Sequence, residues 1–116
     1  MVRIVNTTRG ATLANEAILA NTLWTRMRGL LGTKGLEPGT GLVLSPCNSI
    51  HTWFMGYDID VLFLDGNGKV VQILESYAPW KMTRPYLSAR EVVELPSGAL
   101  KGTGTALGDT IAQEPL

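Results

Sequence analysis

Apolar and polar positions alternate over Val2–Val5, and this period of two predicts a short strand, closed by the polar run Asn6–Gly10. Ala11–Ala14 and Ala17–Ala20 read as two strands of a hairpin turning at Asn15-Glu16. The period then changes. Leu23, Met27, Leu30 and Leu31 recur at helical spacing, with Asn21 or Thr22 as cap and Gly32 as stop, predicting a helix over 22–31. Gly29 inside it costs about 1 kcal/mol relative to alanine, which marks a close approach to another backbone. Leu42–Leu44 is a strand stopped by Pro46, and Ile59–Leu64 is apolar on both faces, as an interior strand must be. Asp65-Gly66-Asn67-Gly68 carries a hairpin signal joining that strand to Lys69–Glu75.

Ser76–Ala89 breaks the pattern. Tyr77, Pro79, Trp80, Pro85 and Tyr86, with Lys81 and Arg84 between them, deny it a regular strand or helix. A loop of this length in a small domain is often functional. Arg90–Leu95 is a further strand, followed by the turn Pro96-Ser97-Gly98 and a short helical turn near 98–102. Gly108-Asp109 turns the chain into a last strand, Thr110–Ala112. These elements predict a mainly β fold. Six or seven short strands form a small antiparallel, barrel-like sheet, and the helix near 22–31 plugs one end.

Composition narrows the classes. The chain has 116 residues, 45% hydrophobic and 17% charged, with 13 glycines, enough for one modest core and therefore one domain over 1–116. Ten basic residues balance ten acidic ones, so no net field draws the chain to nucleic acid or an anionic membrane, and neither partner is expected. A single cysteine cannot form an internal disulfide, so no oxidising compartment is implied. Arg3, Arg9 and Glu16 interrupt the first twenty residues, which argues against a secretory leader. No apolar run approaches the roughly 20 residues that span a bilayer. A cytoplasmic location is the expectation.

The chemistry concentrates in Leu44–Phe63. This stretch holds the only cysteine, Cys47, the only histidine, His51, and also Trp53, Asp58 and Asp60. Four readings compete. Cys47 and His51 could form a nucleophilic dyad, but an extended chain would separate them by roughly 13 Å, so Pro46 would have to open a turn. Cys47, His51, Asp58 and Asp60 could hold a metal, yet structural zinc usually takes four Cys or His ligands, and no metal or cofactor is expected. Arg28 could fork onto Asp60 or Glu94 as a structural ion pair holding helix to sheet. The alternative for Asp60 is that it opens a buried strand and accepts backbone amides. Finally His51, Thr52, Trp53 and Tyr57 could line a cleft beneath the later loop, with Trp80 or Arg84 closing it. Tryptophans that merely fill the core are the competing explanation.

Several blocks together resemble the DUF192 family: Arg26-x-x-Gly29-Leu30-Leu31-Gly32, Cys47-x-x-Ile50-His51-Thr52-x-Phe54-Met55, Ile59-Asp60-Val61-x-Phe63-x-Asp65, and Val93-x-Leu95-Pro96-x-Gly98 leading to Gly108-Asp109. They occur in order over nearly the whole chain. The resemblance implies a mainly β fold of about this length and almost no settled biochemistry. Gly56 and Asp58 depart from the family pattern, which often has a basic residue and a proline there, so no cation at 56 is expected to hold an anion.

The expectation is therefore an accessory binding domain that takes a small molecule or a protein partner around the 47–60 segment and the 76–89 loop. The alternative is a small hydrolase or transferase with His51 as general base and Cys47 or Asp60 nearby.

Overall fold

The structure, a computed structural model, describes residues 1–20, 36–53 and 55–116. The helix expected over 22–31 lies outside the described residues, as does Arg28. Seven strands follow in chain order: β1 (Val2–Asn6), β2 (Ala11–Ala20), β3 (Thr40–Leu44), β4 (Ile59–Leu64), β5 (Val70–Tyr77), β6 (Glu91–Pro96) and β7 (Ile111–Pro115). They form one sheet in the order β5-β4-β6-β3-β2-β1-β7, antiparallel throughout except for the parallel β2/β3 pair. The fold is mainly β, as the strand pattern predicts.

The edge strands β5 and β7 meet at one end. Val70 N–H donates to Asp109 O at 2.9 Å and Ile111 N–H to Gly68 O at 2.8 Å, beside a bridge between Lys69 and Thr110. This contact curls the sheet into a half-barrel. Gly68 is required here: it sits at φ +77°, and a Cβ on it would lie 2.8 Å from Ile111 O.

One expectation fails. Ala11–Ala20 is a single ten-residue strand, not a hairpin. A two-residue hairpin turn needs positive φ, and neither Asn15 nor Glu16 adopts it. Both amides instead donate to Gly39 O, at 2.8 and 3.1 Å, while the strand passes from β1, paired up to Ala17, to β3, paired from Glu16 to Ala20. Ala14, Ala17 and Ala20 are buried, and their small side chains let the crossing strands approach. Downstream, the stretch 96–103 winds through three successive hydrogen-bonded turns, not a helix, because Gly98 and Gly102 take positive φ.

Alternation sorts the core onto two faces. Val43, Leu62, Leu64, Val93 and Leu95 pack on one face with Ile4, Leu13 and Ile111. Leu42, Leu44, Ile59, Val61, Phe63 and Val92 pack on the other, against Ile50, Met55 and Ala89. β4 is therefore buried at every position. Ile50 and Ala89 of the second cluster belong to two segments that cover this face.

A polar network fastens the β1–β2 turn to the start of β7. The Asp109 carboxylate accepts from Arg9 Nε at 2.9 Å and Arg9 Nη2 at 3.2 Å, from Asn6 Nδ2 at 3.0 Å and from Ala106 N–H at 2.9 Å. The Arg9 guanidinium first, then the Asn6 amide and the Ala106 N–H, hold this carboxyl far below the usual carboxylate range. A carboxyl whose folded pKa is depressed adds stability above its unfolded value of about 3.9 and loses it as pH falls below that value. Urea unfolding midpoints measured from pH 6 to pH 2 should show wild type well above Asp109→Asn at pH 6. The gap should then narrow steadily below about pH 4.

Candidate functional site

Two irregular segments, 46–53 and 78–90, cross the second core face and are laced together antiparallel. Cys47 N–H donates to Arg90 O, Tyr86 N–H to Asn48 O and Thr83 N–H to Ile50 O, each at 2.9 Å. Ile50 N–H donates to the Thr83 hydroxyl at 3.1 Å, and Thr52 N–H to Lys81 O at 2.7 Å. Prolines 79 and 85 keep the later segment from joining the main sheet, so it forms this two-stranded layer instead.

Thr52 is the fastener. It has no solvent exposure, and its hydroxyl donates to Ala78 O at 2.7 Å while accepting Lys81 N–H at 3.0 Å. Its carbonyl accepts Trp80 N–H at 2.9 Å. These bonds hold Trp80 at φ +63°, a left-handed backbone that is unusual for a bulky residue and costs about 1–3 kcal/mol. Trp80 is 63% exposed in this position.

Residues flanking Thr52 face outward. His51 pairs across the ladder with Met82 and is exposed, as is Met82 at 63%. The His51 and Trp53 rings lie 4.9 Å apart at 31°, and Trp53 is 44% exposed. His51 and Met82 thus pair on one exposed side with Trp53 against the His51 ring, and the exposed Trp80 is joined by its backbone to Thr52.

Of the residues expected to line a site, His51 and Trp53 lie ring to ring, and Trp80 is joined to Thr52 through its backbone. Thr52 lies beneath the surface and positions it. Tyr57 packs against the second core cluster, and the Arg84 guanidinium sits 5.0 Å from the centroid of the Tyr86 ring. Lys81 Nζ lies 5.5 Å from the centroid of Tyr77, whose hydroxyl pKa is raised above 10 by burial first and by Tyr86 second. Met82 escapes a sequence reading that treats 76–89 as one loop. No local spacing signals it, because the positive φ at Trp80 interrupts strand alternation just before Met82.

Asp60 has a structural task. It is 1% exposed; Oδ1 accepts Ser76 N–H at 2.9 Å, and Oδ2 accepts Gly98 N–H at 3.1 Å and Leu100 N–H at 3.0 Å. One carboxylate therefore ties the end of β5 and the turns after β6 to β4, and the backbone-amide reading of Asp60 is the one observed. Glu94, also buried, pairs across the ladder with Val61 and so belongs by alternation to the opposite face of the sheet from Asp60; the pairing of either acid with Arg28 lies outside the described residues. The Cys47 thiol is half-buried and donates to Ser49 O at 3.0 Å. Asp58 is exposed. Among the described residues, no group of three or more His, Cys, Asp and Glu could hold a metal ion.

A separate cleft of about 390 Å³ is lined by residues 12–15, 38–39 and 96–99, and shares none of these residues with the His51 surface. No helix among the described residues is long and apolar enough to cross a membrane.

Comparisons with known proteins agree on family and fold. The DUF192 family model, described as Uncharacterized ACR, matches residues 4–113. A UPF0127 protein of Thermococcus kodakarensis is 33% identical over 116 residues, covering 97% of this chain and 73% of its own. A UPF0127 protein of Pyrococcus horikoshii is 33% identical over 114 residues, covering 93% of this chain and 96% of its own. The crystal structure of a protein of unknown function from Novosphingobium aromaticivorans superposes with a TM-score of 0.79 at 18% identity, over 96% of this chain and 82% of that one.

Proposed function

Starting from a chain that belongs to the DUF192 family, we propose an accessory binding domain whose working surface is the face made by His51, Trp53, Trp80 and Met82. Its ligand is a small molecule or ion held against the exposed rings. The observation carrying this reading is the backbone of Trp80: a left-handed conformation, fastened by the buried Thr52, presents an indole to solvent. A left-handed backbone retained at a bulky, largely exposed residue is a mark of a functional segment. Large side chains gathered on one exposed face are a further mark of a binding surface.

Binding is favoured over catalysis by the engagements of the neighbouring groups. Both Asp60 oxygens accept backbone amides, and the Cys47 thiol donates to a backbone carbonyl. The two groups with which a histidine base would work are thus occupied elsewhere.

A thermal-shift screen of a metabolite library tests the reading. Compounds that stabilise wild type, by about 2.7 kcal/mol at 100 times their dissociation constant, should lose the effect in Trp53→Ala/Trp80→Ala. Hits that stabilise the double variant equally would move the function away from this face.

A further inference from the structure

We propose that His51 and Met82 form a two-ligand site for a soft monovalent cation, Cu(I) or its analogue Ag(I), with an indole face beside it. This inference rests on the reading of the His51 face as a binding surface and names one ligand class for it.

The geometry comes from the ladder. Thr52 N–H donates to Lys81 O and Thr83 N–H donates to Ile50 O, so these bonds bracket His51 and Met82 without involving their own amides. That is the pattern of a non-hydrogen-bonded antiparallel pair, in which Cα atoms lie about 4.5 Å apart and the two side chains leave the same face close together. An imidazole nitrogen and a thioether sulfur are therefore brought within reach of one ion, both exposed to solvent.

The donor set selects the ion. A thioether prefers Cu(I) among biological metals, and imidazole accepts it readily. Calcium and magnesium need several oxygen ligands, and zinc ordinarily takes three or four N, S or carboxylate donors. Among the described residues, no group of three or more His, Cys, Asp and Glu could supply the donors those ions take. A cation is also drawn to an indole face, and Trp53 already lies 4.9 Å from the His51 ring. The cationic side chains nearest in sequence are turned to other work, Lys81 over Tyr77 and Arg84 over Tyr86. Binding is lone-pair donation from nitrogen and sulfur, and no electron is transferred.

The test is titration of the full chain with Ag(I) in chloride-free buffer, with Cys47→Ser removing the competing thiol. The methionine ε-methyl signals and tryptophan fluorescence report binding. The Met82 methyl should shift and saturate at about one ion per chain with quenching of indole emission, and Met82→Leu or His51→Phe should weaken binding about 100-fold. In wild type, should Cys47→Ser fail to fold, the same methyl should shift with the second equivalent, after the thiol is filled. A Met82 methyl unmoved at saturation, or an affinity unchanged in Met82→Leu, overturns the assignment. If silver leaves Met82 untouched while hits dependent on Trp53 and Trp80 persist, the cation assignment falls and the binding face stands. If both are lost, both fall.

Discussion

Asp60→Ala should lower the unfolding free energy by about 3–5 kcal/mol, the largest loss expected from a single side chain outside the apolar core. The carboxylate satisfies three backbone amides, those of Ser76, Gly98 and Leu100, which belong to two separate stretches of chain. Removing it leaves donors without acceptors where water has little access, at about 1–3 kcal/mol for a fully buried one. Asp60→Asn keeps the shape but turns an N–H₂ toward at least one donor, so it should also destabilise, by less. Urea denaturation reads both through the midpoint at constant m. A change within about 0.5 kcal/mol, as at an ordinary surface position, would contradict the role given to Asp60.

Thr52→Val is the second. Valine matches the volume of threonine, so a loss reports the hydroxyl, which bonds Ala78 O and Lys81 N–H inside the protein. The expected cost is about 1–3 kcal/mol, and it falls locally on the segment that carries Trp80. Amide exchange at Trp80, Lys81 and Thr83 should accelerate in Thr52→Val and stay near wild type in Thr52→Ser. Ligands of the His51 face should bind more weakly to Thr52→Val although every exposed ring is still present. Unchanged exchange at those amides would show that Thr52 does not hold the loop.

Local pattern carries the strands far and the site less far. β4 is legible because Ile59–Leu64 is apolar on both faces, and the Asp65-Gly66-Asn67-Gly68 turn is legible because its chemistry is local: Asp65 Oδ1 accepts the amides of Asn67 and Lys69. β2 misleads because alanine is a weak strand former and Asn15-Glu16 looks like a turn, whereas burial of Ala14 and Ala17 against neighbouring strands decides the outcome. The site is half legible. The only histidine and its aromatic neighbours mark one side of it, and the unpatterned 76–89 stretch marks the other. Their pairing residue by residue is not written locally, since it joins positions about thirty apart through hydrogen bonds to backbone. For the same reason Thr52 reads as a surface hydroxyl and Met82 as a loop residue, although the ladder buries the first and sets the second opposite His51.

Amide chemical-shift mapping of the ¹⁵N-labelled chain during titration with a fragment library asks most directly where this domain binds. Perturbations should gather at residues 50–53 and 79–83, around His51, Trp53, Trp80 and Met82. A cluster at residues 12–15, 38–39 and 96–99 instead, with the His51 face silent, would place binding in the other cleft and contradict the account.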